Sequence, residues 1–444
     1  MVKRKRAAAG KAGARKKAGK KGARAAEAEA AEAADLPSDD EELPSDGEGE
    51  GQDAREDEGG DDEFFETPDE KRVRVAKEYL SGLGAAKAPE EVQQQLARDV
   101  AEHARRARVQ VEDLALGEPR FLRGHLQVPT CLCLSSDERT LISGGKDCAL
   151  LRWDVETGKK EVLHAGGKNK FECGGHFGFV MSVCMVEQRS LLISTGYDRL
   201  VRLWDPRASP RTACVAALQG HMACATAVVA DPDGAQAYST SLDKSLRVWD
   251  LVARRLRDTL FGHVAGATCM DLYNKGRPVS GGMDKTARLW KLDKDTHLMF
   301  SKHSYPVDAV AVLDHDSFAS GSQDGSVLLW SHASKKPVAS TSMGHGRWVT
   351  ALAAVRRGNV LFGGSTDGGL RAWRVARPGE GEKGGLRLAE AAPTLQMPGC
   401  INAIALGRKL LACAVGKEHK LGRWFYDRTQ RNGIMFVPLS YHEA

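Results

Sequence analysis

The chain has 444 residues, 64 of them Lys or Arg and 59 Asp or Glu, for a net charge of +5, and 42% are apolar. That is ample material for a buried core, yet nowhere does it offer the roughly 18 consecutive apolar residues of a membrane span. The opening Lys3-Arg4-Lys5-Arg6 runs into Ala, Gly and Lys instead of an apolar stretch, which argues against a secretory signal core.

The modest net charge conceals three zones. Residues 1–24 hold 11 Lys and Arg and no acid, residues 25–65 hold 18 Asp and Glu against Arg55 alone, and the rest keeps a net +11. Residues 1–65 are poor in aromatic and β-branched side chains, so they cannot bury enough apolar surface to offset ordering entropy and are expected to be disordered. Within them, Lys3, Arg4, Lys5, Arg6, Arg15, Lys16, Lys17, Lys20 and Lys21 read as a nuclear or nucleolar address. Ser38 and Ser45 each have an acid three positions on, the pattern favoured by acid-directed kinases. Phosphates there would add roughly −1.5 to −2 charges each. The basic arm and the acidic block should also attract each other weakly across about one screening length.

Residues 66–110 read as a pair of helices. Thr67 is an N-cap, Pro68 suits the first helical position and Glu70 completes a capping box. Val73, Ala76 and Leu80 make one face, while Lys71, Arg72, Arg74 and Lys77 crowd the other. A second helix is expected from Pro89 to about Arg108, with Val92, Leu96 and Val100 in one stripe. So small a pair cannot hold its own core; it must pack on a neighbour or dock on a partner.

From residue 118 to 440 the chain is repetitive. Trp153, Trp204, Trp249, Trp290, Trp330, Trp373 and Trp424 recur at intervals of 40 to 51 residues. Gly-His pairs end in His125, His176, His221, His263 and His345, and the fifth repeat keeps only His303. An aspartate follows 21 or 22 residues later (Asp147, Asp198, Asp243, Asp284, Asp324, Asp367), with the tryptophan six residues beyond it. In the last repeat Glu418 is the expected stand-in for the aspartate before Trp424. This period and these signatures mark an all-β, seven-bladed WD-repeat propeller. The aspartates are turn residues, and each histidine facing one can donate a charge-assisted hydrogen bond. Ser143, Ser194, Ser239, Ser280 and Ser320, four residues before their aspartates, can relay to the histidine, and the buried tryptophan N–H adds a donor. Gly363 takes that place in the sixth repeat, so its network should be incomplete. Five repetitions at one spacing make these trios structural, and not Ser-His-Asp catalytic triads. A propeller closes its ring to leave no free edge, and Phe121-Leu122-Arg123 is the candidate outer strand of the last blade, with Ile434-Met435-Phe436-Val437 as rival or neighbour.

Ten cysteines include no C-x-x-C pair, so they read as reduced core residues with no metal site. No phosphate-binding glycine loop and no isolated polar constellation points to an enzyme or a cofactor. Candidate phosphate contacts are Lys159, Lys160, Lys168 and Lys170, then Arg254, Arg255, Lys335, Lys336, Arg356 and Arg357, joined by the helical Lys71, Arg72, Arg74 and Lys77. Aromatics are only 6% of residues, so backbone and shape recognition fits better than base stacking.

The run Glu66-Thr67-Pro68-Asp69-Glu70-Lys71-Arg72-Val73-Arg74-Val75-Ala76-Lys77-Glu78-Tyr79-Leu80 resembles the segment ahead of the propeller in the U3 small nucleolar RNA-interacting WD-repeat protein family. Leu421-Gly422-Arg423-Trp424 and the whole layout are similar too. The resemblance implies a non-catalytic, nucleolar component of the box C/D particle that carries U3 RNA, recognising its RNA–protein core near the box B/C element. It also implies contacts with the core proteins and with small-subunit processome factors, a role in pre-rRNA cleavage toward 18S RNA, and a monomer within a larger particle with no cofactor, membrane or small-molecule substrate. A second reading rests on Trp204-Asp205-Pro206-Arg207, which resembles the WDxR box of cullin-ligase substrate receptors.

Overall fold

A computed structural model describes residues 110–166, 175–208, 213–272, 275–314, 316–344, 346–376, 386–422 and 426–443. The charged tail, the expected helix pair, Lys168, Lys170, His345 and Trp424 lie outside the described residues.

Blade three shows how the sequence builds each sheet. Ala225–Ala230, Gln236–Ser241, Ser245–Asp250 and Arg255–Phe261 form an antiparallel meander. Alternation along the third strand serves two buried faces. Leu246 and Val248 pack with Tyr238, Met270 and Trp290 toward blade four. Trp249 packs with Val186, Ile193 and Leu203 of blade two. Trp153, Trp204, Trp249, Trp290, Trp330 and Trp373 each lean on the preceding blade, and the core is a set of clusters between neighbouring sheets. The outer strand is mostly exposed, which suits its polar Arg255, Arg257 and Asp258.

Seven such sheets surround an axis, with inner strands Pro129–Leu134, Val180–Val186, Ala225–Ala230, Ala267–Leu272, Val307–Val312, Val349–Ala354 and Cys400–Leu406. Each inner strand packs against the next, and the seventh against the first. Side-chain ties cross these seams: the Thr226 hydroxyl donates to the Ala267 carbonyl at 2.8 Å, and Thr130, Thr268 and Thr350 do the same to Val180, Val307 and Ile401. Asn402 closes the ring by donating to the Pro129 carbonyl at 3.2 Å. The approach is close enough that a Cβ on Gly364 would lie 2.5 Å from Ile401 Cγ2.

Blade seven is assembled from both ends of the described chain. Cys400–Leu406, Leu410–Gly416 and Gly433–Glu443 are its first three strands, and Val111–Leu116 and Arg120–Leu122 both pair with the third as its outer edge. Phe121 and Leu122 therefore lie in the outer strand, opposite Met435 and Ile434, and Ile434–Val437 falls within the third strand. The ring takes in Val111, ahead of the boundary expected at 118, because Val111 and Leu114 are buried against blades six and seven.

The last repeat needs a correction. Leu411 pairs with Val437 and Cys413 with Met435, as Leu141 pairs with Trp153 and Ser143 with Leu151. Leu411, Cys413 and Val437 all face blade six. Val437 thus holds the tryptophan place and Cys413 the serine place, and the strand Gly433–Glu443 contains no tryptophan. The six-residue offset from Glu418 to Trp424 is fortuitous: a long connection, not a two-residue turn, separates the second and third strands here.

Candidate functional site

Connections in a four-stranded meander alternate between its two ends, which gives the ring two faces. On the histidine face, links between blades meet the turns between second and third strands, as in Tyr197 N–H to Phe179 O (2.8 Å), Leu242 N–H to Cys224 O (3.0 Å) and Met283 N–H to Gly266 O (2.8 Å). On the opposite face, the remaining two turns of each blade meet, as in Val155 N–H to Arg139 O (2.9 Å), Leu251 N–H to Ala235 O (3.0 Å) and Val375 N–H to Asn359 O (2.7 Å).

The histidine face is fixed by a repeated chain of hydrogen bonds. In blade three Trp249 Nε1–H donates to Ser239 Oγ at 2.7 Å, so the serine hydroxyl is left to donate to His221 Nε2 at 2.7 Å. His221 Nδ1–H then donates to Asp243 at 3.0 Å. Blades one, two and four repeat it with His125-Ser143-Asp147-Trp153, His176-Ser194-Asp198-Trp204 and His263-Ser280-Asp284-Trp290. This order requires a neutral imidazole. Burial holds the His176 and His221 pKa below the usual value, against the pull of their aspartates. For Asp147, Asp243 and Asp284, burial works upward, but the hydrogen bonds they accept outweigh it and the carboxyls titrate low. Each serine is fully buried with its oxygen engaged by a tryptophan, so no substrate can reach it as a nucleophile.

Later blades vary the theme. His303 bonds Ser320 at 2.7 Å but places Nδ1 on Ser326 Oγ at 3.1 Å, while Asp324 accepts the Ser326 N–H. Burial depresses the His303 pKa to about 4. In blade six a Cβ on Gly363 would lie 2.6 Å from the Trp373 ring, which fills the space a serine would need. Asp367 pairs with Arg347 at 2.8 Å. In blade seven Glu418 forms a buried ion pair with Lys146 of blade one at 2.8 Å, and Lys146 also donates to His419 O. Lys420 follows, its N–H on Asn402 and its ammonium 3.4 Å from the Thr350 carbonyl of blade six. These residues tie blade seven to both neighbours, a role that sequence reasoning missed.

The candidate cations divide by face. Lys159-Lys160, Arg254-Arg255, Lys335-Lys336 and Arg356-Arg357 are all exposed, and all lie in or beside turns of the face opposite the histidines. Lys159 and Lys160 line a cavity of about 630 Å³ with Arg139, Arg152, Glu156 and Glu161. The acids make that site mixed in charge. The helical Lys71, Arg72, Arg74 and Lys77, the tail cations, Ser38 and Ser45 are outside the described residues. Trp204 of the WDxR-like box is buried on Ser194, Asp205 caps the turn through the Arg207 N–H at 2.9 Å, and Arg207 is exposed. Among the described residues no group of His, Cys, Asp and Glu could hold a metal ion, and the cysteines there are free.

The sequence profile of the WD domain, G-beta repeat, matches residues 118–154, 167–205, 212–250, 254–291 and 295–331. U3 snoRNP-associated protein-like EMB2271 of Arabidopsis thaliana is 28% identical over 428 residues, covering 85% of this chain and 87% of that protein. The solved structure of U3-55K aligns with a TM-score of 0.65 at 28% identity, covering 72% of this chain and 98% of that one. The crystal structure of the RRP9 WD40 repeats gives 0.67 at 27% identity, covering 74% and 100%. U3 small nucleolar RNA-interacting protein 2 of Homo sapiens is 30% identical over 404 residues, 84% of this chain and 82% of that protein. A likeness that runs through the repeats and well beyond them into the rest of the chain is more than a shared propeller, and the chain belongs to the U3 small nucleolar RNA-interacting WD-repeat protein family.

Proposed function

We propose that this chain is a non-catalytic RNA- and protein-binding component of the U3 box C/D small nucleolar ribonucleoprotein, acting in the nucleolus in pre-rRNA processing toward the 18S product. The observation that carries the reading is the gathering of four exposed dibasic pairs on one face of a rigid ring. Cations fixed on a scaffold suit phosphate contacts, which set position and register on an RNA without reading its sequence. Val111 supports the same face: its N–H donates to Asn359 Oδ1 at 2.9 Å, so the chain enters the ring beside Arg356 and Arg357. The basic Lys71, Arg72, Arg74 and Lys77 precede that entry in sequence and are proposed as further contacts to U3 RNA or a core protein. Lys168 and Lys170, in the connection from blade one to blade two, are proposed as separate phosphate contacts. Ser38 and Ser45 are proposed phosphorylation sites, and residues 3–21 the nucleolar address.

The test is purification of the tagged full chain from nuclear extract at physiological salt, with U3 RNA and box C/D core proteins measured. Arg254, Arg255, Arg356 and Arg357 changed together to Gln should leave folding intact. If all four meet phosphates, the slope of log affinity against log salt should fall by about 3. Absence of U3 RNA from the purified material overturns the reading, and recovery of a cullin adaptor in its place would favour the Trp204–Arg207 box.

A further inference from the structure

The histidine face carries a surface of a different kind across blades two to five. Met222 is 77% exposed, Val264 73%, Tyr197 62% and Tyr305 57%. Met222 and Val264 directly follow the buried His221 and His263, and their N–H groups are held by Asp243 and Asp284 at 2.9 and 3.1 Å. Tyr197 lies against Phe179 with ring centroids 5.9 Å apart, and the Lys146 ammonium sits 5.9 Å from the Phe179 ring. Met222 and Val264 are thus fixed by hydrogen bonds to largely buried carboxylates, and a set of exposed apolar side chains on one face marks an interaction surface.

Cations alternate with them. Arg199, Lys244 and Lys285 are exposed and follow Asp198, Asp243 and Asp284 at one turn position, with φ of 68°, 69° and 64°. Blades five and six place Gly325 and Gly368 there, at 80° and 84°. The left-handed conformation is strained for a residue other than glycine, so stability of the turn does not call for these cations. The acids beside them are already engaged: Asp243, for one, accepts from His221, Met222 and Ser245. Arg199 also reaches the next blade, donating to the Met222 carbonyl at 3.4 Å, which joins the cation of one blade to the apolar residue of its neighbour.

We propose that the histidine face of blades two to five docks an extended segment of a partner protein in which acidic and apolar side chains alternate. Charge complementarity and the interleaving both favour this occupant. An RNA backbone would answer the cations but would set phosphates against Met222 and Val264. An alternating acidic–apolar segment satisfies Arg199, Lys244 and Lys285 and covers the apolar groups between them.

The probe is a fluorescein-labelled peptide of about 12 residues alternating Glu with Leu or Phe, titrated with the full-length chain at physiological salt and read by anisotropy. Met222→Asp combined with Val264→Asp alters only exposed side chains. Arg199→Asn, Lys244→Asn and Lys285→Asn together remove the cations with a residue that accepts the left-handed region. Circular dichroism checks that both variants fold. Each set should weaken binding at least tenfold, the second should also flatten its salt dependence, and polyglutamate should bind at least tenfold more weakly than the probe. The proposal is overturned if the peptide does not bind, if either folded variant binds it as the wild type does, or if polyglutamate binds equally well. It is also overturned if an oligouridylate binds here with the same sensitivity to both variants, which would make this a nucleic-acid surface. Neither variant set touches the dibasic pairs, so this result is separate from the U3 reading.

Discussion

Replacing Asp243 by alanine tests the hydrogen-bonded chain of blade three. Its carboxylate accepts from His221 Nδ1 at 3.0 Å, Met222 N at 2.9 Å, Ser245 N at 3.0 Å and Ser245 Oγ at 2.6 Å. Met222 is exposed, so water can take over its N–H at little cost. The His221 side chain is fully buried, and stranding its Nδ1–H costs about 1–3 kcal/mol, toward the upper end because the acceptor is charged. Ser245 is buried too, and its two lost bonds add about 1 kcal/mol after partial rehydration. The expected loss is therefore about 3 kcal/mol. An unfolding entropy of about 2 cal/mol/K per residue over residues 111–443 converts this to a fall of about 4–5 °C in Tm. Asp367→Ala is the internal control. Its carboxylate accepts the Gly369 N–H at 3.0 Å and pairs with a half-exposed Arg347, so the loss should stay below about 1 kcal/mol. Thermal melts and urea titrations of the three proteins decide the matter. An unchanged Asp243→Ala midpoint, or an equal loss at Asp367, would refute the network as the stabilising element.

Other consequences are as concrete. Lys146→Met removes the buried ammonium that donates to Glu418 and to the His419 carbonyl, each at 2.8 Å, and should lower the urea midpoint, with the loss larger than at an exposed pair such as Lys275–Asp233. His303 has its pKa depressed to about 4 by burial, so the unfolded chain binds the extra proton first. Its stabilising contribution is full above the unfolded value near 6.5 and is lost as pH falls toward 4; His303→Asn should flatten that part of a stability–pH profile. Removing residues 110–122 uncovers the strand Gly433–Glu443 along its outer edge and should shift the size-exclusion profile toward aggregate relative to the wild type. Leu114→Asp, at a buried position, should weaken the same seam in a milder form.

Blades one to six are legible in the sequence because their defining contacts are local. His221, Ser239, Asp243 and Trp249 lie within 28 residues of one another, so a constant spacing along the chain reveals the network. Gly363 marks the gap in blade six for the same reason. The Glu418–Trp424 spacing misleads because an offset of six carries meaning only when one short turn joins the two strands, and the connection in blade seven is long. The outer strand around Phe121 follows from the demand of a closed ring for one, yet its extension to Val111 does not, since Val111 finds its partner at Glu443.

The division follows the range of the interactions. The amino-acid sequence by itself determined the fold class, six of the repeats and the roles of the histidines, serines, aspartates and tryptophans in the regular blades, all set by short-range hydrogen bonds and alternating burial. The tertiary structure decided how the ring closes, what replaces the network in blade seven and which residues share a face. Dibasic pairs from four different blades lie on one side, and Arg199, Lys244 and Lys285 share the other with Tyr197, Met222 and Val264, because every blade sends its turns to the same two ends. No spacing along the chain encodes that neighbourhood; it arises only when seven sheets are arranged around one axis.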